Sequence, residues 1–167
     1  MNLSKLLLPI VILSCFYISS IQCQNAVNNC TYSADGYSYN FGQLATLSGY
    51  YYTKTNSDGT KEIYYVNVCN TAFGCTLFGG PTTMNACKKL PSSQNLSLLA
   101  TGHFDPMPTP GNGAYLSYVH PNLNMTVSIT LLCDKSKPNA SIVSGGQTRN
   151  DLFEFTLSGE KACGTLI

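Results

Sequence analysis

Histidine, serine and carboxylate side chains are the residue types that could make this chain a hydrolase, and their arrangement argues against one. The 167 residues hold two histidines, His103 and His120. A Ser-His-Asp relay would take His103 with Asp105 and one of many serines, but no serine stands in a Gly-x-Ser-x-Gly elbow. Glycoside hydrolysis needs two carboxylates facing each other across a cleft, whereas Glu154 and Glu160 lie on or beside one strand-like run. The expected protein is not an enzyme, and no cofactor motif is present.

The cysteines carry more information. Of eight, Cys15 and Cys23 fall in or at the edge of an N-terminal apolar run, which leaves Cys30, Cys69, Cys75, Cys87, Cys133 and Cys163. A zinc site would draw on tightly spaced pairs, and Cys69, Cys75 and Cys87 lack that spacing. No metal is therefore expected. An even set of cysteines behind a leader reads as a disulfide framework, although six cysteines can pair in many ways and spacing does not choose among them.

The leader itself is legible. Lys5 precedes a short apolar run from Leu6 to Leu13, continued by small and apolar residues to Ile21, and residues 1–23 read as a signal peptide ahead of one β domain over 24–167. The run is shorter than the roughly 20 residues that span a bilayer, and no later segment is apolar for long enough, so no membrane span is expected. Asn-x-Ser/Thr tripeptides begin at Asn29, Asn95, Asn124 and Asn139. Asn95, Asn124 and Asn139 are the candidate glycosylation sites; Asn29 abuts a cysteine that a disulfide would hold. These signals place the protein outside the cytosol, either secreted or in the lumen of the endoplasmic reticulum, Golgi or endolysosomal system.

Nine Lys and Arg against eight Asp and Glu give a formal charge of +1. Without a basic stripe to neutralise phosphates, nucleic acid is not an expected partner. Arg149 is the only arginine. Lys88-Lys89 reads as a solvated pair, and the tyrosines at 50–52 and 64–65 as residues packed on a sheet with their hydroxyls in water.

The elements that would position these residues are strands. Residues 62–68 are rich in β-branched and aromatic side chains. Met125, Val127, Ile129 and Leu131 alternate with Thr126, Ser128 and Thr130, and Phe153, Phe155 and Leu157 alternate with Glu154 and Thr156; period two marks strands with one apolar face. Residues 114–119 read as a further strand, 37–41 and 49–54 as weaker ones. Asn56-Ser57-Asp58-Gly59 suggests a hairpin turn. The proline-rich stretch 106–113 and the polar stretch 135–146 read as loops.

Several stretches, in order, resemble the mannose 6-phosphate receptor homology (MRH) domain. They are Cys30 to Tyr50 with "DGYSYNFGQL", then "YYVNVC" at 64–69, "AYLSY" at 114–118, "MTVSITLLCD" at 125–134 and "DLFEFTLSGEKAC" at 151–163. The resemblance implies an all-β fold, a flattened β-barrel of two crossed antiparallel sheets stapled by about three disulfides. It also implies the pairs Cys30–Cys69, Cys75–Cys87 and Cys133–Cys163. A further disulfide common in the family is missing, because the loop after "AYLSY" carries His120 and Asn122 and no cysteine lies near Arg149.

Sugar-binding members of that family use Gln, Arg, Glu and Tyr, and the resemblance maps these to Lys88, to Met125 or its neighbour Asn124, to the acid-free loop 139–150, and to Asp151. None of the four types is retained there. A shift of a few residues brings Gln94, Gln147 or Arg149 into play. The candidate ligand-binding set is therefore Lys88, Met125, Arg149 and Asp151. Two functions follow: a non-catalytic lumenal domain that binds mannose-type or phosphomannosyl N-glycans or glycoproteins, or a degenerate MRH fold used as a structural or interaction module for a lumenal protein partner.

Overall fold

The computed structural model describes residues 30–89, 94–98, 102–120 and 122–167. The expected leader over 1–23 and the sequon at Asn29 lie outside the described residues, as does the side chain of Asn95. Twelve strands are described: β1 (Thr31–Ala34), β2 (Tyr37–Asn40), β3 (Tyr50–Thr55), β4 (Lys61–Val66), β5 (Met84–Lys89), β6 (Gln94–Leu98), β7 (His103–Pro106), β8 (Gly113–Val119), β9 (Thr126–Cys133), β10 (Ser141–Arg149), β11 (Leu152–Gly159) and β12 (Thr165–Leu166). They form three sheets with orders β1-β2-β12, β10-β11-β9-β8-β7 and β3-β4-β5-β6.

The all-β class holds, but the expected barrel of two antiparallel sheets does not. Among the described residues there are three sheets and no closed barrel, and β9 pairs with β11 in parallel, Thr126 beside Leu152 through Cys133 beside Gly159. The parallel pair arises because β10, read from the sequence as the end of a loop, is a strand. It takes the sheet edge and turns back so that β11 inserts between β10 and β9.

Alternation decides the faces. Val127, Ile129 and Leu131 of β9 and Phe153, Phe155 and Leu157 of β11 are buried, while Glu154 is exposed. The β3–β4 hairpin turns at the expected residues: Asp58 Oδ1 accepts the Thr60 N–H at 2.9 Å, and Gly59 adopts a φ of 83°, a left-handed conformation that glycine enters without steric cost. On β4, residues of one parity, Glu62, Tyr64 and Val66, face the five-stranded sheet. Tyr64 packs on Phe155 with ring centroids 5.4 Å apart. The three disulfides join Cys30 to Cys69, Cys75 to Cys87 and Cys133 to Cys163, the pairing the resemblance implies.

Candidate ligand-binding groove

Where β4 and β5 face the end of β10, the core gives way to polar groups. Lys88 stands beside Tyr64 in the β4–β5 ladder, and its ammonium reaches diagonally to Glu62, with Nζ 2.6 Å from Oε1. The Tyr64 hydroxyl donates to the other carboxylate oxygen at 2.7 Å. Across the cleft, the Gln147 backbone N–H donates to Tyr64 Oη at 3.4 Å, and Lys88 Nζ donates to Gln147 Oε1 at 3.5 Å. Lys54 Nζ donates to the Gln147 carbonyl at 3.4 Å. Gly146, at φ 128°, makes that approach possible: a Cβ there would stand 2.7 Å from Lys54 Cδ.

Electrostatics follow from this packing. Burial works against the charge of Glu62, but the Lys88 ammonium and the Tyr64 hydroxyl outweigh it and hold the carboxyl below its ordinary value. Burial, reinforced by the carboxylate it serves, pushes the Tyr64 hydroxyl far up, so it stays a donor. Above the pair opens a groove of about 250 Å³ lined by Lys54, Asn56, Glu62, Gln147, Thr148, Arg149 and Asn150. Every lining side chain is polar, and the set offers cations, amides, a hydroxyl and a carboxylate that still has free lone pairs.

The four residues picked from the sequence separate. Lys88 is only 7% exposed, so the solvated pair expected of Lys88-Lys89 is corrected: Lys89 is exposed, but Lys88 has the parity that faces the core and finds a counter-ion there. Tyr64 likewise is fully buried, its hydroxyl bonded to Glu62 and to the Gln147 N–H. Arg149 lies on the groove rim, its Nε 3.9 Å from Asp151 Oδ1. Asp151 sits in the β10–β11 turn, exposed, and is not among the groove-lining residues. Met125 is packed in the main hydrophobic cluster, with its carbonyl accepting the His120 N–H at 2.7 Å. The structure thus brings Arg149 to the groove, joins Lys88 to it only through Glu62 and Gln147, and leaves Met125 in the core. Glu62 and Lys54 were not singled out by motif, and Tyr64 was read as a sheet-packing residue of the "YYVNVC" stretch; the shared parity of Glu62 with Tyr64 and Val66 was the available signal.

The remaining candidates are placed as follows. His103 and Asp105 pair at 3.0 Å on the edge strand β7, both more than half exposed. His120 is buried and its Nδ1 accepts the N–H groups of Asn122 and Leu123 at 3.2 Å each, which ties the β8–β9 turn. Asn124 and Asn139 are exposed. Among the described residues no group of His, Cys, Asp and Glu is arranged to hold a metal, and no helix is long and apolar enough to cross a membrane.

No protein-family model and no curated protein matches the sequence at a significant level. Solved structures do match. Domain 11 of the echidna mannose 6-phosphate/insulin-like growth factor 2 receptor, determined by NMR in solution, superposes with a TM-score of 0.56 at 17% identity, over 83% of this chain and 97% of that one. The chain has an MRH-like fold. The three disulfides accompany that fold in a sequence only 17% identical to the neighbour's. That structure is a domain of a receptor.

Proposed function

We propose that this MRH-like domain is a non-catalytic glycan-binding module of the secretory or endomembrane lumen, and that its sugar site is the groove between β4 and β10. One observation carries the reading. The residue types that sugar-binding members of the family use, Gln, Arg, Glu and Tyr, stand together here as Gln147, Arg149, Glu62 and Tyr64, drawn from other positions than those the resemblance assigns. Their chemistry suits adjacent hydroxyls. A guanidinium presents a planar fork of donors, a carboxylate accepts from two hydroxyls, and an amide does both. Tyr64 serves as a positioning residue, since its hydroxyl is already engaged by Glu62 and by the Gln147 N–H. Lys54 and Arg149 add positive charge on the rim, which fits phosphomannosyl as well as plain mannose-type N-glycans.

The test is a glycan array probed with the purified chain at neutral and mildly acidic pH, with and without calcium and manganese, for the wild type, Arg149→Ala and Glu62→Gln. Selective capture of mannose-type or phosphomannosyl glycans, weakened in both variants, supports the site. Binding that both variants retain in full sinks it. A second reading, an interaction or structural module without sugar recognition, is favoured by the Lys88 ammonium, which already engages Glu62 as its counter-ion; an array on which the wild type captures nothing supports that reading.

A further inference from the structure

The opposite face of the same sheet is built differently. On β3 and β4 the parity that points away from the core is Tyr51, Thr53 and Thr55 with Lys61, Ile63 and Tyr65. Tyr51 and Tyr65 meet edge to face at 5.5 Å, and Tyr65 meets Phe78 at 5.4 Å. Phe78 ends the 3-10 turn Phe73–Phe78, which Cys75 fastens to β5 through Cys87. The turn lies flat on the sheet because Gly74 has no side chain: a Cβ there would collide with the Tyr65 ring. The Gly74 N–H donates to the Ser48 carbonyl at 2.8 Å, so the loop before β3 borders the same surface.

Exposed apolar side chains gather on the turn, on the loop before β3 and on β3. Leu47 is 84% exposed, Tyr51 57%, Phe73 51% and Leu77 72%. Large side chains scattered singly on a surface need no explanation, but a contiguous group does. Two lysines stand on or beside it, and one exposed carboxylate, Asp58, lies in the hairpin turn at the Lys61 end. Lys89 places its ammonium 5.5 Å from the Phe78 ring centroid, and Lys61 is exposed on the outward parity of β4. The acid on β4, Glu62, has the inward parity. Asp58, in the hairpin turn, folds its carboxylate back onto Thr60, with Oδ1 accepting from the hydroxyl at 2.6 Å. A disulfide and a sheet hold the face in shape before any partner arrives, which lowers the ordering cost of binding.

We propose that this face docks a protein segment whose large apolar anchor is flanked by carboxylates, the anchor covering Leu77 and Tyr51 and the carboxylates meeting Lys89 and Lys61. The inference is independent of sugar binding in the groove. It is tested by panning a phage-displayed library of random peptides, about 12 residues long so that an extended one reaches across the face, on the full chain expressed through the secretory pathway. Synthetic versions of the enriched peptides are then measured by isothermal titration calorimetry. The expected peptides carry one or two large apolar residues beside Asp or Glu. Leu77→Ser weakens them by about tenfold or more, Lys89→Glu weakens them and removes much of the salt dependence, and Arg149→Ala leaves them unchanged. Both face variants alter exposed side chains, and an unchanged thermal unfolding midpoint shows that each still folds. Enrichment without acidic residues, no enrichment at all, or affinities indifferent to both variants overturns the proposal. So does a dimer in sedimentation that Leu77→Ser dissolves, since a second copy would then be the occupant.

Discussion

Replacing Glu62 by Gln isolates the charge of the groove's central pair. The amide keeps the side chain's shape and an oxygen for the Tyr64 hydroxyl, but it leaves the Lys88 ammonium, 8% exposed, without its counter-ion. Removing one partner of a fully buried pair costs about 3–5 kcal/mol. The Glu62 side chain is 23% exposed and Gln147 Oε1 lies 3.5 Å from Lys88 Nζ, so water and one acceptor soften the loss, and we expect about 2 kcal/mol. Lys88→Met removes the desolvated cation instead and leaves Glu62 with the Tyr64 hydroxyl and solvent, for a loss of about 1 kcal/mol or less. The double variant should cost about as much as Lys88→Met alone, which gives a coupling as large as the Glu62→Gln loss, about 2 kcal/mol. Urea unfolding with the disulfides intact reads this directly. With slopes of about 1–3 kcal/mol per molar, Glu62→Gln lowers the midpoint by about 1 M at unchanged slope. A loss for Glu62→Gln below about 0.5 kcal/mol, the range of a solvated surface pair, would refute the claim that the pair is desolvated.

Three further outcomes are expected. The carboxyl of Glu62 titrates below its ordinary 4.5 and that of Asp134, held by the Ser136 hydroxyl and Lys137, falls from 3.8 to about 2; a depressed carboxyl stabilises above its unfolded value and loses that contribution as pH falls through the folded one. Stability should therefore hold from neutral pH to about 5 and decline below about 4.5, with a shallower decline in Glu62→Gln, as measured by urea midpoints across pH. Tyr118→Phe removes the acceptor of the Cys69 N–H, bonded at 2.7 Å to the hydroxyl of a residue only 1% exposed, and should cost about 1–2 kcal/mol by the same assay. Gly113→Ala should abolish folding, read as loss of secretion and of strand circular dichroism, because the added Cβ would collide with the Leu131 backbone carbonyl at a φ of 123°.

What the sequence made legible was local. Strand β9 alternates in period two, Asn56 to Gly59 is a turn in its chemistry, and both stand as expected. The disulfide pairs were accessible only through the family resemblance, since spacing alone left them open. Failures came where a distant strand decides. Residues 141–149 are small and polar, with two adjacent glycines, and read as a loop to Gly146; they form a nine-residue strand because β11 supplies the ladder and Gly145 clears room for the Phe155 ring. Lys88 and Glu62 lie 26 residues apart, and each looks like a surface charge until the β4–β5 register sets them diagonal on the inward face. Met125 shows the other side of this: it was chosen by alignment to a family position, although its own period-two neighbours marked it as core, which is where it lies. Parity within a strand is therefore the stronger local guide: a charged residue that shares its face with buried aromatics must find a partner there. In this fold such a residue marks the groove, and its neighbours on the other parity mark the docking face.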